Sequence, residues 1–222
     1  MKGAEIIVKD LIKVYHLGKL EVQALRGLSM SVKEGEVVSI IGPSGSGKTT
    51  LLNIIGGLDT ATAGSVVVSG TQVTALSTSQ LVDYRRKTVG YIFQTLNLIP
   101  SLTAAENVEL PMIAMGAGRS KRKERVTELL EIVGLTQRAD HKPDELSGGE
   151  QQRVTMAAAL ANDAPVILAD EPTGELDTTN VKIVVDYLVK ISRELGKTIL
   201  MVTHDPTSPD RATEFFALKM AP

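Results

Sequence analysis

Apolar and polar residues alternate through "EIIVKDLIKVY" (5–15) and "LSMSVKEGEVVSIIG" (28–42), with Gly27 and the Glu34-Gly35 pair as punctuation. This pattern predicts β-strands. Val37 to Ile41 is a continuous apolar run, as expected of a strand buried on both faces. A helix is predicted from near Lys48 to Gly56-Gly57, and "GSVVVSG" (64–70) and "VGYIF" (89–93) read as short strands. From about Leu96 to Pro143 the character becomes helical. Val126, Leu129, Leu130 and Val133 fall at i, i+3, i+4 and i+7, and Gly134 follows as a C-terminal cap. A helix is predicted from about Gly148 to Asn162, then a buried strand, "VILAD" (166–170). Val181, Val184, Val185, Leu188 and Ile191 mark an amphipathic helix that stops at Gly196, and "TILMVTH" (198–204) is another buried strand. Strand–helix alternation with continuous apolar strands implies an α/β fold with a mostly parallel sheet covered by helices, into which the middle segment is inserted.

Composition narrows the function classes. The 222 residues suffice for one large domain, or a core with a small appended subdomain. Twenty-four basic and 26 acidic residues leave a net charge of −2, so no basic excess points to nucleic acid. The absence of cysteine removes disulfide and thiolate chemistry and fits a reducing compartment. The N-terminal "MKGAEIIVKD" has no apolar stretch of signal-peptide length, and the longest apolar runs, such as "MAAALA" (156–161), fall far short of the ~20 residues of a membrane span.

The strongest chemical signal is "GPSGSGKT" (42–49), a G-x-x-x-x-G-K-[ST] loop between a buried strand and a helix. Its glycines let backbone N–H groups turn inward around an anion, and the helix N-terminus adds partial positive charge. Gly42, Pro43, Ser44, Gly45, Ser46, Gly47, Lys48, Thr49 and Thr50 would surround phosphates. Lys48 can reach the β- and γ-phosphates, and the Thr49 hydroxyl can ligate Mg²⁺.

Asp170 ends "VILAD", where open α/β sheets place their ligands, and it can hold Mg²⁺ through water. Glu171 follows and can reach an attacking water. Read alone, this acidic pair is equally a solvated strand end before the turn "EPTG". His204 and Gln94 end their strands in the same way, and each is also an ordinary polar terminus. They gain weight because the strand ends bearing Gly42, Gln94, Asp170 and His204 are expected on one edge of the sheet. No N-K-x-D segment is present to read guanine. Tyr15 either stacks on a purine or is an aromatic at a strand edge.

A second glycine motif, "LSGGE" (146–150), lacks a lysine. A helix N-terminus stabilises an anion by about 0.3–1 kcal/mol, up to ~2 when partly buried. Millimolar affinity needs about 4 kcal/mol. The motif is therefore too weak to hold a nucleotide alone, but it can complete a phosphate site held elsewhere. Ser147 and Glu150 also fit a helix capping box, S-x-x-E.

Taken in order from Tyr15 to His204, these motifs resemble the ATP-binding cassette (ABC) ATPase family. "YIFQTLNLIPSLTAAENVELPM" and "HKPDELSGGEQQRV" look most like its lipoprotein-releasing and macrolide-exporter branch. The resemblance implies a single domain over 1–222 with a P-loop NTPase core and an N-terminal antiparallel β-subdomain (1–95 and 163–222). It also implies an inserted helical subdomain at 96–162 that carries the signature. It assigns adenine stacking to Tyr15, the hydrolytic water to Glu171, a γ-phosphate contact to His204 and a link from Mg²⁺ to the helical subdomain to Gln94. Lys48 serves with them in catalysis. Thr49, Gln94 and Asp170 form the metal site. Two copies are expected to pack head to tail around two Mg-ATP. The signature residues Ser147, Gly148, Gly149 and Glu150 and the D-loop Asp177 then contact nucleotide across the interface. The partner implied is an integral membrane permease subunit, which would hold the chain peripherally on the cytoplasmic face of the membrane. A cell-division type of mechanical module is the alternative, and a soluble nucleic-acid-associated cassette is a more distant one.

The chain departs from the family at Glu150, where glutamine is commoner. Its carboxylate either sits near the phosphate-facing loop or is held away by the cap. At Ala158 the family usually has arginine, so an ion pair is expected to be missing. The chain also stops soon after "FFALKMAP", short of the usual D-G turn.

Overall fold

The computed structural model describes residues 2–18, 20–174, 178–203 and 214–217. Two sheets sandwich the first helix. Strands β1 (Ile6–Leu17), β2 (Leu20–Val32), β4 (Ala63–Val68) and β5 (Thr71–Gln72) form an antiparallel sheet in the order β2-β1-β4-β5. Strands β3 (Val37–Ile41), β6 (Val89–Ile92), β7 (Val166–Asp170), β8 (Thr198–Thr203) and β9 (Glu214–Ala217) form a parallel sheet in the order β6-β7-β8-β3-β9. Every residue of β7 and β8 is buried, which explains their unbroken apolar runs.

Helix α1 (Lys48–Ile55) lies between the sheets, with Leu51, Leu52, Ile54 and Ile55 buried. They share a core with Ile6, Val8 and Leu11 of β1, Val38 and Ile40 of β3, and Val66 and Val68 of β4. A second core covers the opposite face of the parallel sheet. It joins Ile167, Ala169, Ile199 and Met201 to helices α3 (Ala104–Ala114), α4 (Arg119–Ile132), α5 (Gly148–Ala159) and α6 (Thr178–Leu195). Helices α3 to α6 thus share one apolar core with the sheet. Of the predicted periodic residues, Val126, Leu129, Leu130 and Val133 are buried, as are Val184, Val185, Leu188 and Ile191, while Val181 is half-buried. Gly134 follows α4 in the left-handed conformation (φ 68°).

Strands β5 and β9 have no counterpart in the sequence-based expectation, and three other elements depart from it. Helix α2 (Thr78–Thr88) has a weak apolar pattern, with only Tyr84 buried. Its signal was the capping box formed by Ser77 and Gln80. Strand β2 begins at Leu20, well before "LSMSV", because its first half is an exposed hairpin arm paired with β1. Helix α5 ends at Ala159 rather than Asn162, with the Leu160 amide reaching back to Met156 and Ala157 carbonyls.

Asp163 joins the helical layer to the sheet. The fully buried Lys197 donates through Nζ to Asp163 Oδ1 at 2.6 Å and to its carbonyl at 3.0 Å. Arg125 of α4 lies 3.8 Å from the same carboxylate and donates to the Leu160 carbonyl at 3.1 Å.

Candidate functional site

The loop after β3 closes onto α1 through glycine. Gly47 caps α1 with φ 90°, and a Cβ there would sit 2.4 Å from the Ala24 carbonyl oxygen. No other residue fits that position. The Ser46 amide donates to the Pro43 carbonyl at 3.2 Å, which keeps the loop tight. Lys48 is buried inside the loop, donating to the carbonyls of Gly42 (2.7 Å) and Pro43 (3.1 Å). Ser46 Oγ is buried with no hydrogen-bond partner among the described residues, and its hydroxyl suits a phosphate oxygen.

A cleft of about 310 Å³ opens over this loop. Ala24, Ser44, Gly45, Gly47, Lys48, Thr49, Thr50, Gln94 and Glu171 line it. The exposed Gln94, just past the end of β6, lines the same cleft as the phosphate loop. Thr49 Oγ1 donates to Asp170 Oδ1 at 3.0 Å, which joins the helix start to the β7 end. Burial, reinforced by the neighbouring Glu171 charge, raises the Asp170 carboxyl above its usual range, against the Thr49 hydrogen bond and Lys48. Thr49 and Asp170 together present oxygen donors only, a set that suits a hard cation such as Mg²⁺. Among the described residues no cluster of three or more His, Cys, Asp or Glu side chains could hold a metal. A cation there would need ligand or water oxygens to complete its shell.

Glu171 Oε1 lies 3.8 Å from Lys48 Nζ. Its backbone is left-handed (φ 46°), and its amide donates to the Val202 carbonyl at 3.0 Å. The side chain, only 10% exposed, is thereby turned into the cleft wall. Tyr15 of β1 does not line the cleft but lies beside it, with Oη 3.5 Å from Oγ1 of the cleft residue Thr50 and donating to Asp59 Oδ2 at 2.7 Å. His204 and Asp177 lie outside the described residues.

None of Ser147, Gly148, Gly149 and Glu150 lines the cleft. Ser147 caps α5, accepting from the Glu150 amide at 3.3 Å. Glu150 Oε2 accepts from the Ser147 amide and hydroxyl, both at 2.8 Å, and Oε1 accepts from Arg138 Nε at 3.0 Å. The Ser147 hydrogen bonds, assisted by Arg138, hold this carboxyl below its usual range. The Glu150 carboxylate is therefore turned back onto its own helix. Gly149 lets α5 approach α6: a Cβ there would lie 2.5 Å from Asn180 Oδ1. Ala158 lines a separate groove of about 330 Å³ between the β6 end and helices α3 and α5, with Tyr91, Phe93, Leu98, Leu110 and Pro111.

Sequence reasoning missed Lys13, Asp59 and Arg138. Each acts on a singled-out residue from a distant position, so no local motif announces it.

The ABC transporter family model matches residues 25–174. An uncharacterized ABC transporter ATP-binding protein of Thermotoga maritima is 52% identical over 204 residues, covering 92% of this chain and 87% of its own. The macrolide export ATP-binding/permease protein MacB of Brucella melitensis is 43% identical over 99% of this chain, which corresponds to 34% of MacB. The fold superposes on a dimeric post-hydrolysis structure of the ATP-binding cassette MJ0796 bound to ADP and Pi. That match has a TM-score of 0.88 and 44% identity, and covers 96% of this chain and 94% of the other. With the loop, the Thr49–Asp170 pair and Glu171 in place, this chain belongs to the ABC transporter family as an ATP-hydrolysing cassette.

Proposed function

We propose that two copies of this chain close head to tail around two Mg-ATP and drive a separate membrane permease. The observation that carries this reading is the division of the phosphate chemistry. One cleft brings Ser44, Gly45, Gly47, Lys48, Thr49 and Thr50 of the loop together with Glu171 and Gln94, while the Ser147–Gly149 helix start of the same chain lies outside it. A helix N-terminus that presents amides but cannot bind alone is suited to a phosphate supplied by another copy. The dimeric MJ0796 cassette supports the same arrangement.

Bound Mg²⁺ would neutralise charge developing on the phosphates. Thr49 and Asp170 would hold it, with Gln94 beside them. Lys48 binds the β- and γ-phosphates from inside the loop, and the Ser46 hydroxyl and loop amides orient them. Glu171 positions the attacking water and accepts its proton. Tyr15 stacks on the adenine face. His204 and Asp177 complete the nucleotide contacts in this reading.

The apolar groove beside Phe93 and Ala158 is where the permease would press on the cassette, next to the β6 end that leads to Gln94. Ala158 adds no charge to this groove, whose lining includes Arg85. The chain would then work at the cytoplasmic face of a membrane without crossing it. No helix among the described residues is long and apolar enough to span one. The relatives, named as transporters and an exporter, favour transport over an assembly role.

Glu171→Gln tests the reading. ATP turnover should fall by about 10²-fold or more, and size-exclusion chromatography with saturating ATP should show a dimer. A variant that hydrolyses normally, or that remains monomeric with ATP, contradicts it.

A further inference from the structure

Tyr15 is built into a closed triangle. Its hydroxyl donates to Asp59 Oδ2 at 2.7 Å. Lys13 Nζ donates to Asp59 Oδ1 at 2.6 Å and to the Thr60 carbonyl at 2.7 Å. The same Nζ lies over the Tyr15 ring, 4.7 Å from its centroid, within the range of a cation–π contact. Lys13 is 8% exposed, an unusual burial for a lysine. Burial works against the Asp59 charge, yet Lys13, Tyr15 and the Thr60 amide hold its carboxyl below the usual range.

The triangle also joins two parts of the site. Lys13 and Tyr15 belong to β1. Asp59 lies just beyond α1, with its amide on the Asn53 carbonyl of that helix at 3.2 Å. The strand that carries the ring is thereby fixed to the helix that starts at the phosphate loop.

Three consequences follow for the ring. Its tilt is set by the hydroxyl–carboxylate bond. One face is covered by the ammonium. Its hydroxyl proton is committed to Asp59, so the ring offers no donor to a base edge.

We infer that Lys13 and Asp59 are positioning residues for nucleotide binding, which fix the Tyr15 ring so that only the face away from Lys13 receives the purine. The inference rests on the stacking role proposed for Tyr15. It adds that an ordered, one-faced ring is what makes the stack effective.

The test compares ATP with inorganic tripolyphosphate, which has the phosphates without the base. Steady-state KM and kcat for ATP, and calorimetric affinity for tripolyphosphate, are measured on Tyr15→Ala, Lys13→Met, Asp59→Asn and Lys13→Arg. Base–aromatic stacking supports about a tenfold rise in KM for Tyr15→Ala. For Lys13→Met and Asp59→Asn, KM should rise about threefold with kcat within about twofold of wild type. Tripolyphosphate affinity should hold in all four. Lys13→Arg should keep the wild-type KM, because guanidinium can both cover the ring and pair with Asp59. The isosteric Asp59→Asn carries the test if Lys13→Met does not fold. A raised KM in Tyr15→Ala alone leaves the stack standing and overturns the positioning role. An unchanged KM in Tyr15→Ala removes the stacking role and the inference with it. Parallel loss of tripolyphosphate and ATP affinity in Lys13→Met and Asp59→Asn indicates damage to α1 and overturns it as well.

Discussion

Glu171 leaves β7 with φ 46°, a conformation that costs a non-glycine residue about 1–3 kcal/mol. The hydrogen bond from its amide to Val202 helps to hold that turn, and the side chain is thereby directed at the cleft beside Lys48. Glu150 has the opposite fate, with both carboxylate oxygens engaged by Ser147 and Arg138. Its carboxyl is held below the usual range, which fixes the sign of a pH effect. A depressed folded-state pKa contributes stability that is fully present above the unfolded value of about 4.3 and is lost as pH falls through the folded value. Glu150→Gln keeps a capping acceptor but removes the charge. At pH 7 it should cost roughly 0.5 kcal/mol, as for a partly exposed ion pair. Urea titrations should show that difference constant from pH 7 to 5 and shrinking as pH falls from the unfolded value through the lower folded one.

At the scale of elements, α5 and β6 touch without an intervening side chain. A Cβ at Gly90 of β6 would lie 2.1 Å from the Ala159 carbonyl oxygen at the end of α5. Gly90→Ala should therefore destabilise the fold by about 2–3 kcal/mol, since neither backbone can yield cheaply. Chemical denaturation would check this. The same contact means that a shift of the Ser147 helix is felt directly by the strand that leads to Phe93 and Gln94. Much of this layer could be read in the chain. The buried strands β7 and β8 announce themselves by continuous apolar runs, β3 by one interrupted only at Ser39, and the phosphate loop by glycine, lysine and threonine within eight positions. Helix α2 did not, because only Tyr84 among its residues is buried. Nor did the Lys13–Asp59 pair, since 46 positions separate its members and no local pattern relates them. The fate of Glu150 was ambiguous for a related reason: the capping box was legible, but Arg138 arrives from a separate turn.

The whole molecule is organised around a parallel sheet whose strand order departs from chain order. Strand β3, which delivers the phosphate loop, is flanked by β8 and β9. Val38 pairs with Leu200 on one side and Glu214 on the other. Such distant pairing makes the fold slow to form, because loop closure precedes any gain from contact. Ribosome-bound chains that expose residues only to 197 should show no ATP-dependent protection from protease, whereas chains exposing 217 and beyond should show it. At ordinary rates of translation, about 5–20 residues per second, roughly 10–30 s pass between synthesis of β3 and of its first neighbour. During that interval the apolar run from Val37 to Ile41 is a newborn segment without a sheet. The nucleotide site therefore has a birth order as well as a geometry. Its loop is made first and its supporting strands last, so a nascent chain would depend on chaperone cover before it could depend on ATP.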